Sequence, residues 1–549
     1  MNKKLLILFP FLIIFFGGFC LFISCSPHSD KLILNRKEYK DKLMGFWLGG
    51  CIANWTGLPT ENQRTGFPFF TDSDFGKGKF NYVLDQNPWG ADDDTDIEYI
   101  YQYAIEKFDN PMLSGSQISS VWQDHIGLPN LWVSNLAALG QMQNGAIPPE
   151  TSLPKNNPMW DMIDAQLTTE IFGTLAPGRP NIALDMAYLP IRTTAYLHSK
   201  WASEFYIIMH SLAVLIDKSK SRKENILWLA EKARKRIPDW SYIADMYDFV
   251  KSEYDSNPDK DNWELTRDKV ARRYQYEENA GYKYKYPWDS GINFAASMIS
   301  LFYGEGDYKK TIRIGCMSGW DSDNPTSTWG GLLGLLYGHK ELQKHFNKTD
   351  FSGFYNISRT RYNLPLLVDN FDDIAERGLK IIDKVVVEYM DGSKEKNNWV
   401  IPLLNVEIPK DDIQKTFISW ETIEDNDRRW DFQGFYTKEK QWNASGATLT
   451  FGYENCKAEI SFEGTAVQYY AYKSHKGGNV QIILDGKDYG EFSLKNESSV
   501  HGQYYVKIFE KLNLLPNKHK LQIIGDSYKS EKTIDMLSFI PLASPLKIK

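Results

Sequence analysis

Cysteine is scarce in this chain: there are five in 549 residues, and two of them, Cys20 and Cys25, fall in or beside an apolar N-terminal stretch. The spacing of the other three, Cys51, Cys316 and Cys456, suggests neither a disulfide framework nor a zinc site. A pairing of Cys51 with Cys316 stays open, because each lies beside a motif described below. Excess positive charge is also missing. The net charge of -7 gives no reason to expect the basic face that phosphate backbones require, so nucleic acid is not an expected partner. No Ser/His/Asp arrangement, phosphate-cradling glycine loop, internal repeat or low-complexity tract is present. What remains has ordinary globular composition, with 42% hydrophobic and 24% charged residues, and is too long for one compact core. Two or three domains are expected.

The N-terminus reads as a targeting segment. Lys3 and Lys4 precede an apolar run over residues 5–23, and Ser24-Cys25 follows. The ending Phe22-Ile23-Ser24-Cys25 resembles a bacterial lipoprotein cleavage box, with Cys25 as the lipidated residue and Phe22 in place of the usual Leu. The other reading is an uncleaved membrane anchor, since the run is nearly long enough to span a bilayer. Either way, an exported, membrane-anchored protein at the periplasm or cell surface is expected.

Beyond the leader, residues 36–380 carry a helical period. After Asp96, for example, Ile97, Ile100, Tyr101, Ala104, Ile105 and Phe108 fall on one helix face. Past about residue 410 the period shortens to alternation, in short runs separated by Gly, Asn and Asp turns such as Asp485-Gly486. Residues 381–414 are expected to connect an all-α domain to a β-sandwich over residues 415–549.

Acidic residues concentrate in motifs. The first motif runs from Gly45 to Glu61: Gly45, Gly49 and Ala53 make a smooth stripe on one helix face, and Gly57 and Pro59 stop the helix before Glu61. The second is Asp92-Asp93-Asp94-Thr95-Asp96 at a helix start. A charged N-cap explains one or two of these carboxylates, whereas a divalent cation explains the cluster, because hard cations gather several carboxylate oxygens. The third is Gly319-Trp320-Asp321-Ser322-Asp323-Asn324-Pro325, and Gly330, Gly334 and Gly338 then repeat the small stripe. Asp321 and Asp323 belong to the turn before that helix, where capping is again the competing account.

Together these motifs resemble the ADP-ribosylglycohydrolase family, which includes DraG-type bacterial enzymes and the J1 crystallins. The likeness rests on Gly57–Glu61, Asp92–Thr95 and Gly319–Asn324, with further similarity from Asn293 to Gly338. It implies an all-α bundle holding two magnesium ions, with manganese as an alternative. The implied ligands are Asp92, Asp93, Asp94, Asp321, Asp323 and Asn324. Asp92 stands where the family usually has Thr, Asn324 where studied members have Thr, and Asn54 where an Asp is usual. Glu61 corresponds to a Glu that contacts metal or the labile bond, so Glu61 and Asp93 are the expected catalytic residues. The C-terminal region, in turn, is similar to galactose-binding-like, jelly-roll sandwiches.

The resulting expectation is a magnesium-dependent hydrolase of a glycosidic bond, acting on an extracytoplasmic glycan. Removal of ADP-ribose from a protein or small molecule is the alternative, with Arg64 as the candidate diphosphate contact. A non-catalytic, crystallin-like relative is the second alternative. Trp55, Trp89 and Trp320 lie within or beside the motifs and are expected to contact the substrate, since indole faces suit sugar rings.

Overall fold

The computed structural model describes residues 31–542, apart from residues 76–79, 91, 128–130, 357–362, 404–407, 412–419 and 497–501. The leader and Cys25 lie outside the described residues.

The helical body opens with strand Lys31–Asn35, which runs directly into helix Arg36–Gly57. Asn35 makes that transition, its side-chain oxygen accepting from the amides of Lys37 and Glu38 at 3.0 and 3.1 Å. The helix then crosses Asp323–Tyr337, and the two small-residue stripes meet there. A Cβ on Gly49 would stand 2.3 Å from the carbonyl oxygen of Gly330, and one on Gly45 would stand 2.3 Å from that of Gly334. Ala53 and Gly330 are equally close, with 2.3 Å between the Ala53 Cβ and the place a Gly330 Cβ would take. Only hydrogen at these positions lets the backbones touch. Tyr308 secures the crossing by donating its hydroxyl to the Gly49 carbonyl at 2.5 Å.

Helix Phe371–Glu388 buries a face of Phe371, Ile374, Leu379, Ile382 and Val385 in the helical core. Residues 393–402 then return as strands, Asn398–Pro402 pairing antiparallel with Lys31–Asn35. The first half of residues 381–414 is therefore part of the helical body.

The C-terminal domain is a nine-stranded sheet whose strands close around their own core of Ile460, Phe462, Tyr469, Ile482, Leu521 and Leu537. Its spine is the 26-residue strand Thr448–Lys473, which pairs with five others. A strand that long cannot stay straight in a twisted sheet. It bends at Asn455, which takes the left-handed conformation at φ 55°.

The two domains share a seam. Tyr470, Tyr505 and Met536 of the sheet are buried in the helical core cluster. Lys155 offers its carbonyl to Gln468 Nε2 at 2.8 Å and to Lys507 Nζ at 3.2 Å, and Gln503 donates to Gln143 at 2.7 Å. Cys51, Cys316 and Cys456 are free and buried, so no Cys51–Cys316 disulfide forms.

Candidate active site

The helix crossing decides where the acids go. It brings the end of the first helix so close to the start of the second that a Gly57 Cβ would lie 2.5 Å from Asp323 Cα. The loop after Gly57 is then tied to the third motif: Thr60 and Ser322 hydroxyls lie 2.8 Å apart, the Asn62 amide donates to Trp320 O at 2.9 Å, and the Trp320 amide donates to Arg64 O at 3.1 Å. Gly319 (φ 92°) and Trp320 (φ 56°) take left-handed conformations to make the turn. Asp321 follows, its amide held by Asn293 Oδ1 at 3.2 Å.

The result is a cavity of about 350 Å³ lined by Glu61, Asp93, Asp94, Asp164, Asp321, Asp323 and Asn324, among other residues. Carboxylate oxygens of Glu61, Asp321 and Asp323 lie within 4.8 Å of one another and can hold a metal ion. Asp323 Oδ1 is buried there without a hydrogen-bond partner. No Lys, Arg or His is among the described lining residues. Asp94 is steered by amides, accepting from Asn54 Nδ2 and, at 3.1 Å, from Asn324 Nδ2. The Asn54 departure from the family pattern is thus a second donor to Asp94.

Without a cation these groups resist ionisation. Burial pushes the Asp93 carboxyl up to about 6. Asp94 is held well above the carboxylate range by burial and then by Asp93 and Asp321. Burial and the nearby Glu61 do the same to Asp321 and Asp323. An uncompensated hard-oxygen donor set of this kind fits a hard divalent cation.

Asp164 is a site residue without a sequence signal, since it lies outside the three acidic motifs. The Ser134 and Asn135 amides donate to it at 3.2 and 3.3 Å, the Ser134 hydroxyl donates as well, and burial raises it to about 7. Behind the cavity, Glu98 accepts from the Ile171 amide at 2.7 Å and Glu170 from the Thr328 hydroxyl at 2.7 Å. Burial raises Glu170 to about 7, and it raises Glu98 well above its usual range.

Other expected residues fall elsewhere. Asp92 is the N-cap of helix Asp93–Phe108, with its side chain turned back to the Asp93 amide at 2.9 Å, and it does not line the cavity. Trp89 and Trp320 are fully buried in the core, donating to Ser352 O and Gln275 Oε1 at 3.0 Å each. Trp55 donates to Gly90 O at 2.9 Å and fills the space a Gly90 side chain would need. The indoles that do line the cavity are Trp132, Trp288 and Trp442. Adjacency in sequence to an acidic motif fixes where a backbone goes, whereas the side chain's direction is set by the core it enters. Arg64 is likewise committed away from the cavity: it pairs with Asp74 at 2.6 Å and donates to Phe69 O at 3.1 Å.

No curated protein matches the chain. Among solved structures, it is similar to an "ADP-ribosylglycohydrolase-related protein complex" at 15% identity and TM-score 0.37, covering 63% of this chain and 98% of that one. It is also similar to the catalytic domain of a GH87 alpha-1,3-glucanase in complex with tetrasaccharides, at 18% identity and TM-score 0.19, over 24% of this chain and 29% of that one. A Podospora anserina GH26-CBM35 beta-(1,4)-mannanase is similar at 15% identity and TM-score 0.19, over the same shares of 24% and 29%. The model of one family, ADP-ribosylglycohydrolase, matches residues 35–365, the stretch that contains every carboxylate of the cavity, and the chain belongs to the ADP-ribosylglycohydrolase family.

Proposed function

We propose that this chain is a magnesium-dependent hydrolase of the glycosidic bond in a neutral glycan or glycoside outside the cytoplasm. The observation that carries the reading is the convergence of Glu61, Asp321 and Asp323 within 4.8 Å, in a cavity with further acids and no described basic residue. Family membership supports glycosidic hydrolysis, and the export signal read in residues 1–25 supports an extracytoplasmic substrate.

Glu61, Asp321 and Asp323 would hold the cation, with Asp93, Asp94 and Asn324 completing the donor set. When bound, the ion supplies positive charge that orients sugar hydroxyls and stabilises negative charge developing at the bond being cleaved. Asp94 is kept in one orientation by Asn54 and Asn324. Asp164, raised to about 7 by burial, exchanges protons near neutrality and suits general acid–base work on the leaving oxygen or the attacking water. Glu61 sits on the loop after Gly57, its Oε1 accepting from Asn62 Nδ2 at 3.1 Å.

Family membership also favours a second substrate class, ADP-ribose on a protein or small molecule. Arg64 is spoken for by Asp74, so the site lacks the diphosphate contact expected of it. The test is a hydrolysis screen of neutral glycosides beside an ADP-ribosylated peptide, with magnesium and with a chelator. Faster turnover of the peptide overturns the glycan reading. Calorimetry showing no magnesium or manganese binding overturns the metal centre and leaves the crystallin-like, non-catalytic account.

A further inference from the structure

We propose that the C-terminal sheet domain forms one wall of the catalytic cavity, and that its Trp442, together with Trp132 and Trp288, makes an indole-lined subsite for the ring of a neutral pyranoside. The proposal deepens the glycosidase reading and depends on it for the substrate class.

Trp442 belongs to the sheet domain, yet it lines the same cavity as Glu61, Asp321 and Asp323. It sits on the turn between strands Asp431–Glu439 and Thr448–Lys473, closed by Gln441 N to Ala447 O at 2.9 Å and Ala444 N to Gln441 O at 2.7 Å. Its side chain is 59% exposed, so core packing does not account for it. The turn is fixed at both ends of the seam. The Ser445 amide donates to the buried Asp535 at 2.8 Å. From the helical body, Tyr286 donates to Glu424 and lies 3.2 Å from the Ser445 hydroxyl. The Tyr286 ring stacks on Trp288, with centroids 5.5 Å apart and planes 9° from parallel. The Trp288 carbonyl accepts from the Ile163 amide at 3.1 Å, one residue before Asp164. A continuous set of contacts thus runs from the sheet domain through Tyr286 and Trp288 to the acid wall.

The opposite side is similarly fixed. Trp132 precedes Val133, a β-branched residue held at φ 44° in the cavity wall. Such a conformation costs on the order of 1–3 kcal/mol and is kept where the surroundings demand it.

The lining chemistry selects the ligand. Six carboxyl groups line the cavity with no basic side chain among the described lining residues, so an anionic ligand would have only the bound cation to balance its charge. A neutral sugar brings C–H faces for the indoles and hydroxyls for the carboxylates.

The test uses the full chain with magnesium, W442A and W442F variants, and a panel of methyl α- and β-pyranosides of glucose, galactose and mannose beside ADP-ribose. Binding is read by saturation-transfer NMR and fluorescence quenching. At least one pyranoside should bind, W442A should weaken it about tenfold, and W442F should stay within about threefold. Magnesium affinity and melting temperature should not move in either variant, because Trp442 is exposed and is not a ligand. Equal binding by W442A and the parent overturns the proposal. So does the absence of any pyranoside binding, or tighter binding of ADP-ribose than of every pyranoside. A flat magnesium titration of the parent would instead overturn the metal centre, whatever Trp442 does.

Discussion

The floor of the cavity and its rim are built by opposite means. The floor comes from one domain, through a backbone-to-backbone helix crossing and acids carried on the turns beside it. The rim comes from two domains, through aromatic stacking and side-chain hydrogen bonds across a seam. Backbone contacts leave no room to adjust, so the floor should tolerate almost no change. Side-chain contacts can be trimmed one at a time, so the rim should respond in small steps, and mainly in substrate affinity.

The largest expected effect is therefore at the crossing. In Gly334→Ala the new Cβ would meet the Gly45 carbonyl oxygen at 2.0 Å, and the helices must separate. The expected loss is about 3 kcal/mol or more, with cation binding lost as Glu61 and Asp323 move apart. Gly353→Ala, where nothing lies within 4 Å of an added Cβ, is the control and should melt like the parent. Thermal melts and a magnesium titration decide, and equal stability of the two variants would break the contrast between floor and rim.

Next is a change of charge without a change of shape. Asp323→Asn should reduce magnesium-dependent activity at least about a hundredfold. Its metal-free melting point should not fall, because burial and then Glu61, Asp94 and Asp321 all disfavour the ionised Asp323 carboxyl that the amide replaces. A lower metal-free melting point would mean that the acids are not in mutual repulsion.

The floor was legible in the sequence because its signals are local. Gly45, Gly49 and Ala53 repeat every four residues, as do Gly330, Gly334 and Gly338, and a helix converts that spacing into a face. Asp93, Asp94, Asp321 and Asp323 stand at helix starts, whose position short-range rules give. Asp92 carries two readings in sequence, N-cap and metal ligand, and the structure shows its side chain bonded to the Asp93 amide as the cap. Asp164 and the three cavity indoles had no local signal. Trp132, Trp288 and Trp442 meet only through tertiary packing, and the last arrives from another domain. The change of period near residue 410 marks two domains, but it cannot show that Tyr470, Tyr505 and Met536 enter the helical core.

A pH series distinguishes floor from rim without any mutation. Asp93 and Asp164 have native values of about 6 and about 7 against an ordinary 3.8. Between these limits the native state binds more protons than the unfolded chain, so metal-free stability must fall as pH rises from about 4 to about 7. Asp94, Asp321 and Asp323, also held well above the carboxylate range, should add to the fall. Saturating magnesium should flatten the curve near neutrality. A metal-free protein that gains stability over that range would show the floor acids ionised and paired.

The smallest effect is expected at the seam, from Tyr286→Phe. This change keeps the ring that stacks on Trp288 and removes only the hydroxyl that reaches Glu424 and Ser445. Losing a hydrogen bond to this buried carboxyl should cost about 1–3 kcal/mol. The helical core does not depend on this contact, so cation affinity should be unchanged. What should move is the turn that carries Trp442: KM for a neutral glycoside should rise about threefold at constant kcat, since the rim aids binding and the floor carries the chemistry. If the sheet domain were only a spacer, KM and kcat would both stay at parent values. If kcat fell as well, the seam would be positioning Asp164 through Trp288 and Ile163, and the division between floor and rim would have to be redrawn at that contact.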